Sequence, residues 1–480
     1  MVFETTAIPG LATSARSPQQ TASIKTVTFP GGGRTTLIID HINATMADTV
    51  SEVWAAKQAA LQMAALNTAV KDAALTAMAA ALDAQRTEIL AANAVDVAAA
   101  EGKLPAEMIK RLKISDGKID DMVAGLQDLL RIPDPVGQTI SAMELDTGLM
   151  LYQVRCPIGM IGVIFESRPD VVPQIMSLCL KSGNSVAFKG GSEAACSNRA
   201  LFTILRDAAA GAGVPAAAFV LMETRDDINK ILSLDEYIDL LIPRGSYQFV
   251  RYIHEHTRIP VLGHAAGVCH VYVDGAADMD LALNIVLDAK TQYPAVCNAA
   301  ECLLVDREIA PVFLPRMGAL FAEKGVEMRV SPEAKPFLAG LPVKDAASDE
   351  WTKEYDDLII RIGIVDGVDA AIDFINSHGS HHTDAIITAD ESRQRNFARR
   401  VDSADVLINA STRFADGYRF GKGAEVGIAT GRIHARGPMG MEGLMIYKYV
   451  LVGHGQVVRD YAGPHAKPFK HQPSNDRYVM

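Results

Sequence analysis

Gly159-Met-Ile-Gly-Val-Ile-Phe165 is an unbroken apolar run of the length and composition that a strand buried on both faces requires. Working downstream from it, strand and helix signals alternate. Ser185 to Phe188 reads as a strand followed by a helix through Ala209, then come Phe219-Val-Leu-Met222, Tyr237 to Ile242 with a helix from Ser246 to His256, and Cys269 to Val273. Such alternation predicts an α/β fold with a doubly wound parallel sheet and crossover helices, which takes ligands at the carboxyl ends of its strands.

Upstream, Asp146-Thr-Gly148 stands between two alternating runs, the second being Leu149 to Arg155, and predicts a hairpin. Before that, residues 47–131 are a succession of helices. Alanine, leucine and methionine recur there at three and four spacing, with breaks near Asn67, Gly102 to Pro105 and Ser115 to Gly117. Their polar faces carry no excess of Lys and Arg, so they form a packing layer rather than a membrane-surface face. Residues 1–45, with the turn run Pro30 to Gly33, show no sustained periodicity and read as a disordered or non-native extension.

Further along lies Thr291-Gln-Tyr-Pro-Ala-Val-Cys-Asn-Ala-Ala-Glu-Cys302. Pro294 stops the preceding helix, and the next strand begins near Cys302, so Cys297 sits in a loop, where α/β scaffolds mount reacting side chains. A thiolate is the strongest ordinary side-chain nucleophile, although a lone cysteine is more often a small buried hydrophobe. The alternation then resumes through strands at Leu358 to Val365, Ala385 to Thr388 and Val406 to Asn409, giving a second α/β domain. A glycine-rich stretch from Ala410 to Gly443, a strand at Met445 to Val452 and a polar tail close the chain.

Bulk properties narrow the function classes. The chain has 480 residues, 49% hydrophobic and 21% charged, with a net charge of -11, which argues against a nucleic-acid partner. No apolar run reaches the roughly 20 residues of a membrane span. The six cysteines form no Cys-x-x-Cys pair and read as reduced thiols of a cytoplasmic protein. No metal site is read: His254 and His256 face nearly opposite sides of a helix, and His378-Gly-Ser-His-His382 lacks thiols or carboxylates in zinc spacing.

Two strand-to-helix turns could meet a nucleotide phosphate through bare amides, Phe188-Lys-Gly-Gly-Ser-Glu193 and Pro243-Arg-Gly-Ser246. Gly211-Ala-Gly-Val-Pro-Ala216 follows a helix and is a helix stop. In the glycine-rich stretch, Asn409-Ala-Ser-Thr-Arg-Phe414 and His434-Ala-Arg-Gly-Pro-Met-Gly440 place arginines on flexible backbone, which points to an anionic substrate.

Pro157 to Pro169, Cys179-Leu-Lys-Ser-Gly-Asn184, Ile242 to Ser246, Tyr293 to Glu301, Asn409 to Phe414 and His434 to Gly440 together resemble the glutamate-5-semialdehyde dehydrogenases. These are also called gamma-glutamyl phosphate reductases and belong to the aldehyde dehydrogenase superfamily. The resemblance runs from about Met46 to about Val458 in order. It implies an NADP-binding domain (46–137 and 157–285, with the helical layer), a catalytic domain (286–443), strands used in homo-oligomerisation (138–156 and 444–458) and a polar tail (459–480).

The resemblance also implies roles. Cys297 matches the nucleophile, with Asn298 following it and Ser167 at the superfamily's oxyanion asparagine position. Lys189, Gly190 and Ser192, Gly245 and Ser246, and Glu354 match cofactor-binding positions for NADPH. Arg168, Asn409, Ser411, Arg413, His434 and Arg436 are the substrate-binding candidates. Which arginine takes carboxylate and which phosphate stays open, as does NADP over NAD.

Leu262-Gly-His-Ala-Ala-Gly267 carries no glutamate where aldehyde oxidisers keep a base for thioester hydrolysis. That absence fits reduction of an acyl phosphate supplied by a glutamate kinase. The alternatives are oxidation of another semialdehyde and a non-catalytic oligomeric binding protein.

Overall fold

The computed structural model describes residues 26–28, 34–36, 40–223, 227–264, 266–423 and 425–479. Contacts divide the chain into units 1–52 and 53–480. In the first unit, β1 (Thr26–Thr28) and β2 (Arg34–Thr36) pair antiparallel, and α1 (Asp40–Met63) begins. The expectation of an extension lacking structure over 1–45 otherwise falls outside the described residues.

Two of the breaks read from sequence are helix caps. Asn67 Oδ1 accepts the Val70 amide at 3.0 Å at the start of α2 (Thr68–Ala84), and Ser115 Oγ accepts that of Lys118 at 3.3 Å at the start of α5 (Asp116–Arg131). Each satisfies a donor the first turn leaves orphaned. Between them lie α3 (Arg86–Ala100) and α4 (Ala106–Leu112). Ala74, Leu75, Met78 and Leu82 of α2 pack with Ile119, Met122, Leu126 and Leu129 of α5 in one core.

The hairpin forms as expected: β3 (Thr139–Asp146) and β4 (Leu149–Pro157) join through Thr147 and Gly148, the latter at φ +70°. The chain then enters the first parallel sheet. Its strands are β5 (Met160–Phe165), β6 (Ser185–Gly190), β7 (Phe219–Leu221) and β8 (Leu240–Arg244), in the order β7-β6-β5-β8. The crossovers are α6 (Val171–Ser182), α7 (Ala195–Gly211) and α8 (Asp227–Leu232), and α9 (Tyr247–His256) follows β8. All six residues of β5 are buried, as its apolar run requires. Because the order reverses between β5 and β8, the crevice at their carboxyl ends is the topological switch point where such sheets bind ligands.

Cys269 to Val273, read from sequence as the close of the first sheet, instead pairs in parallel with strands of the second. This strand, β9 (Cys269–Val273), is followed by α10 (Met279–Thr291), β10 (Ala300–Asp306), α11 (Ala310–Glu323), β11 (Glu327–Val330), β12 (Val343–Asp345), β13 (Ile359–Val365), α12 (Gly367–His378), β14 (Thr383–Ile387), α13 (Glu391–Arg400) and β15 (Asp405–Ile408). The sheet order is β12-β11-β13-β10-β9-β14-β15. The change of sheet therefore comes before β9, not at 285/286. An apolar run reports burial, and it is silent on which neighbour supplies the hydrogen bonds.

β16 (Gly427–Ala429) and β17 (Gly437–Met439) form a small antiparallel pair. Then β18 (Met445–Val452) and β19 (Gln472–Ser474) join the hairpin in the order β18-β4-β3-β19. No helix among the described residues is long and apolar enough to cross a membrane.

Candidate active site

The loop after α10 ends in a tight turn, with the Ala299 amide donating to Val296 O at 2.9 Å, and it leaves Cys297 half-buried at the amino ends of β9 and β10. Its backbone is clamped from behind. The Cys269 thiol donates to Cys297 O at 3.1 Å, and Gly267 packs so closely that a β-carbon there would stand 2.0 Å from the same oxygen. Asn298 is buried, with Nδ2 donating to Ala415 O at 2.8 Å, which ties the loop to the turn after β15. The amides of Cys297 and Asn298 have no acceptor among the described residues and are available to an oxyanion.

Cys297 lines a cavity of about 870 Å³ between this loop and the carboxyl ends of β5 and β8. Arg111, Arg168 and Arg244 line it too. Burial lowers the pKa of Arg168, and the charges of Arg244 and Arg111 lower it further, while a thiolate at Cys297 would oppose them. Arg413 is lowered by burial and by Arg419, and its Nε donates to Gln292 Oε1 at 2.9 Å. Cations crowded together in this way fit an anionic ligand. His264 also lines the cavity; its Nδ1 lies 2.7 Å from Ile428 O, which can only accept, and burial lowers its pKa.

Of the residues expected from sequence, the cavity brings together Cys297, Asn298, Arg168, Arg413, Gly245, Ser246 and Glu354. The others are placed elsewhere. Ser167, held at φ +48°, donates its hydroxyl to Glu193 Oε1 at 3.0 Å and is not among the residues lining the cavity. Lys189 is buried in β6 with Nζ 2.6 Å from Gly190 O, neither these two nor Ser192 lines the cavity, and the Glu193 carboxylate folds back over Gly191 at that strand end.

Asn409 clamps β14 to β15, its amide donating to Thr388 O at 3.0 Å and accepting the Thr388 N–H at 2.9 Å. Ser411 accepts the Arg413 amide at 3.3 Å, capping a turn. His434 Nε2 is bonded to Gly443 O at 2.8 Å, and Arg436 pairs with Asp402 at 2.8 Å. These four shape the glycine-rich segment and do not reach the cavity.

The aldehyde dehydrogenase family model matches residues 19–336. Gamma-glutamyl phosphate reductase from Methanosarcina barkeri is 57% identical over 434 residues, 88% of this chain and 97% of its own length. That from Pelotomaculum thermopropionicum is 50% identical over 423 residues, 88% of this chain and 96% of its own. The chain is a gamma-glutamyl phosphate reductase family member within the aldehyde dehydrogenases. The crystal structure of the Thermotoga maritima gamma-glutamyl phosphate reductase superposes with a TM-score of 0.83 at 38% identity, covering 85% of this chain and 99% of that one. A glyceraldehyde-3-phosphate dehydrogenase from Methanocaldococcus jannaschii complexed with NADP, at 16% identity and TM-score 0.60 over 85% of this chain and 95% of its own, shares the fold.

Aldehyde dehydrogenases use a nicotinamide cofactor, and the cavity fits one. Ser246 opens α9 with no side-chain cap, and beside it Gly245 has no room for a side chain: a β-carbon would meet Phe249 at 2.6 Å and Glu166 at 2.7 Å. At this helix end the Ser246 amide donates to Glu166 Oε2 at 3.3 Å, with Arg244 alongside, so a pyrophosphate bound there would displace that carboxylate. Glu354 also lines the cavity, its carboxylate accepting the Gly267 amide and raised in pKa by burial and by Asp356, an acceptor suited to ribose hydroxyls. In this gamma-glutamyl phosphate reductase family member the sequence reading misses Arg111, Arg244 and His264. Arg244 stands inside a quoted turn and could be found as the cation at a strand end. Arg111 lies in the helical layer, where nothing local marks it.

Proposed function

We propose that the protein reduces L-glutamyl 5-phosphate to L-glutamate 5-semialdehyde with NADPH, releasing phosphate, as a step of proline biosynthesis. The observation that carries this reading is the group Arg111, Arg168 and Arg244, which line the Cys297 cavity and form no ion pair among the described residues. An uncharged aldehyde substrate gives no reason to gather three guanidinium groups, whereas a phosphoryl leaving group does.

The Cys297 thiolate attacks the acyl carbon, the bond to the phosphate oxygen breaks, and the arginines receive the departing phosphate. The amides of Cys297 and Asn298 hold the oxyanion, each donor being worth about 3 kcal/mol. NADPH, when bound through Gly245, Ser246 and Glu354, supplies hydride to the thioester. Collapse of the thiohemiacetal then re-forms a carbonyl and expels Cys297 as thiolate. The stretch from Leu262 to Gly267 carries His264 and no carboxylate, so it offers no glutamate to activate water against the thioester.

The acyl phosphate comes from a glutamate kinase. β18 has one edge unpaired among the described residues and exposes Ile446, Tyr447, Tyr449 and Leu451, an edge suited to a second copy of the chain in a homo-oligomer. A cytoplasmic location accords with the free cysteines.

The test is NADPH oxidation driven by glutamate, ATP and glutamate kinase, with phosphate release measured. In reverse, semialdehyde oxidation must require phosphate; free glutamate formed without it would mean an aldehyde-oxidising enzyme instead. Cys297→Ala should abolish turnover and keep NADPH binding, which separates the enzyme from a binding protein.

A further inference from the structure

We propose that Cys297, His264 and His382 form a three-ligand site for a borderline-soft divalent cation, zinc above all, and that its occupation switches the enzyme off. One ring nitrogen from each histidine and the Cys297 Sγ all lie within 4.8 Å of one another. A tetrahedral zinc ion holds sulfur at about 2.3 Å and imidazole nitrogen at about 2.0–2.1 Å, so its ligand atoms stand roughly 3.5 Å apart. Rotation of the short thiol side chain and a shift of about 1 Å would close the set around an ion of that size.

The hydrogen bonds behind the two imidazoles set their tautomers. His382 is fully buried at the amino end of β14, with Nδ1 2.8 Å from Thr383 Oγ1. Thr383 Oγ1 donates in turn toward Asp405 Oδ2 at 3.5 Å, so it accepts from Nδ1–H and leaves the lone pair on Nε2. His382 Nε2 has no hydrogen-bond partner among the described residues. A buried acceptor without a donor is rare enough to need a reason. His264 is oriented likewise: its Nδ1 proton goes to Ile428 O at 2.7 Å, which frees Nε2 to coordinate. Metal-binding histidines are characteristically held through their other nitrogen in this way.

The donor set selects the cation. One thiolate and two neutral imidazoles with no carboxylate among them suit zinc and disfavour magnesium, calcium and manganese. Binding takes the sulfur as thiolate, and no oxidation state changes. The ligands stand at 264, 297 and 382, far outside any zinc spacing, and only the folding of β14 beside β9 brings them together. A bound ion would occupy the sulfur that attacks the acyl carbon and would shield it from alkylation.

That the ion inhibits rests on the reading of Cys297 as nucleophile, while binding itself does not. The full-length protein, stripped of metal, is titrated with Zn2+ by calorimetry and with Co2+ by absorbance. One equivalent should bind per chain, with a thiolate-to-cobalt charge-transfer band and at least tenfold slower alkylation of Cys297 by iodoacetamide. His264→Ala and His382→Ala should each weaken binding at least tenfold, and Cys297→Ser should abolish the band. His382→Asn, closer in size and polarity, is read in parallel against a loss of fold in the alanine variant.

Unchanged affinity in both His382 variants, or Zn2+ binding that leaves alkylation of Cys297 as fast as before, overturns the proposal. Because none of these readouts uses turnover, a failure of the acyl phosphate reading would leave them intact. Competition between Zn2+ and the acyl phosphate in the coupled assay is expected in addition, and Zn2+ affinity left unchanged in Cys297→Ser would count against the site.

Discussion

Gly267 lies against the back of the catalytic loop, where a β-carbon would stand 2.0 Å from the carbonyl oxygen of Cys297 and 2.5 Å from its Cα. Backbone atoms cannot yield as a flexible side chain can. Gly267→Ala should therefore push the loop by about 1 Å, and a misplacement of that size costs about 100-fold in rate. The expected outcome is a large fall in kcat and an altered rate of Cys297 alkylation, with NADPH affinity little changed. A variant within threefold of wild type would show that the clamp does not position the thiol.

Arg168 is partly buried beside two further guanidinium groups, and burial is the main cause of its lowered pKa. Hydrogen bonds to charged groups are worth about 1.5–3 kcal/mol, or roughly 10- to 150-fold. Arg168→Met should raise KM for phosphate in the oxidative direction by that factor. Equilibrium binding of NADPH is the control. If NADPH affinity falls and KM for phosphate does not, the guanidinium serves the cofactor and not the leaving group.

What the sequence makes legible follows from how local the cause is. The apolar run at β5, the Asp146 to Gly148 turn and the caps at Asn67 and Ser115 are set within a few residues, and each forms where it reads. The Cys297 loop is legible for the same reason. β9 shows its burial but not its sheet, since its partners β10 and β14 are set by the fold. Ser167, Asn409 and His434 look alike in sequence whether a polar side chain holds a ligand or the backbone. Their partners Glu193, Thr388 and Gly443 decide it. Arg111 of helix α4 lines the cavity and His382, immediately before β14, stands near Cys297 and His264, and no local pattern carries that information.

Arg436 gives that distinction a test. It pairs with Asp402 at 2.8 Å, both side chains are partly exposed, and Asp402 also meets Arg432. Exposed pairs of this type contribute at most about 1 kcal/mol. Arg436→Gln should therefore cost little stability and leave kcat/KM within about threefold of wild type. A loss approaching that of Arg168→Met would return Arg436 to the substrate site.

Glu301 of β10 is buried, with Oε1 3.1 Å from Lys290 Nζ, and it accepts the Tyr355 amide at 3.3 Å, next to Glu354 on the cavity wall. Burial raises its pKa to about 7, outweighing the pull of Lys290, whose own pKa burial lowers. The unfolded chain returns Glu301 to about 4.3. Protonated carboxyl thus favours the folded state: the stability it contributes is fully present below pH about 4.3 and is lost as pH rises through 7. At about 1.4 kcal/mol per pKa unit, the loss across that window is on the order of 3 kcal/mol. Glu301→Gln, which cannot ionise, should remove this slope, so urea unfolding of the two proteins between pH 5 and pH 8 should show the variant gaining on wild type as pH rises. A difference that stays constant across the window would mean that Glu301 is ionised in the folded protein throughout, held by Lys290 as a charged pair.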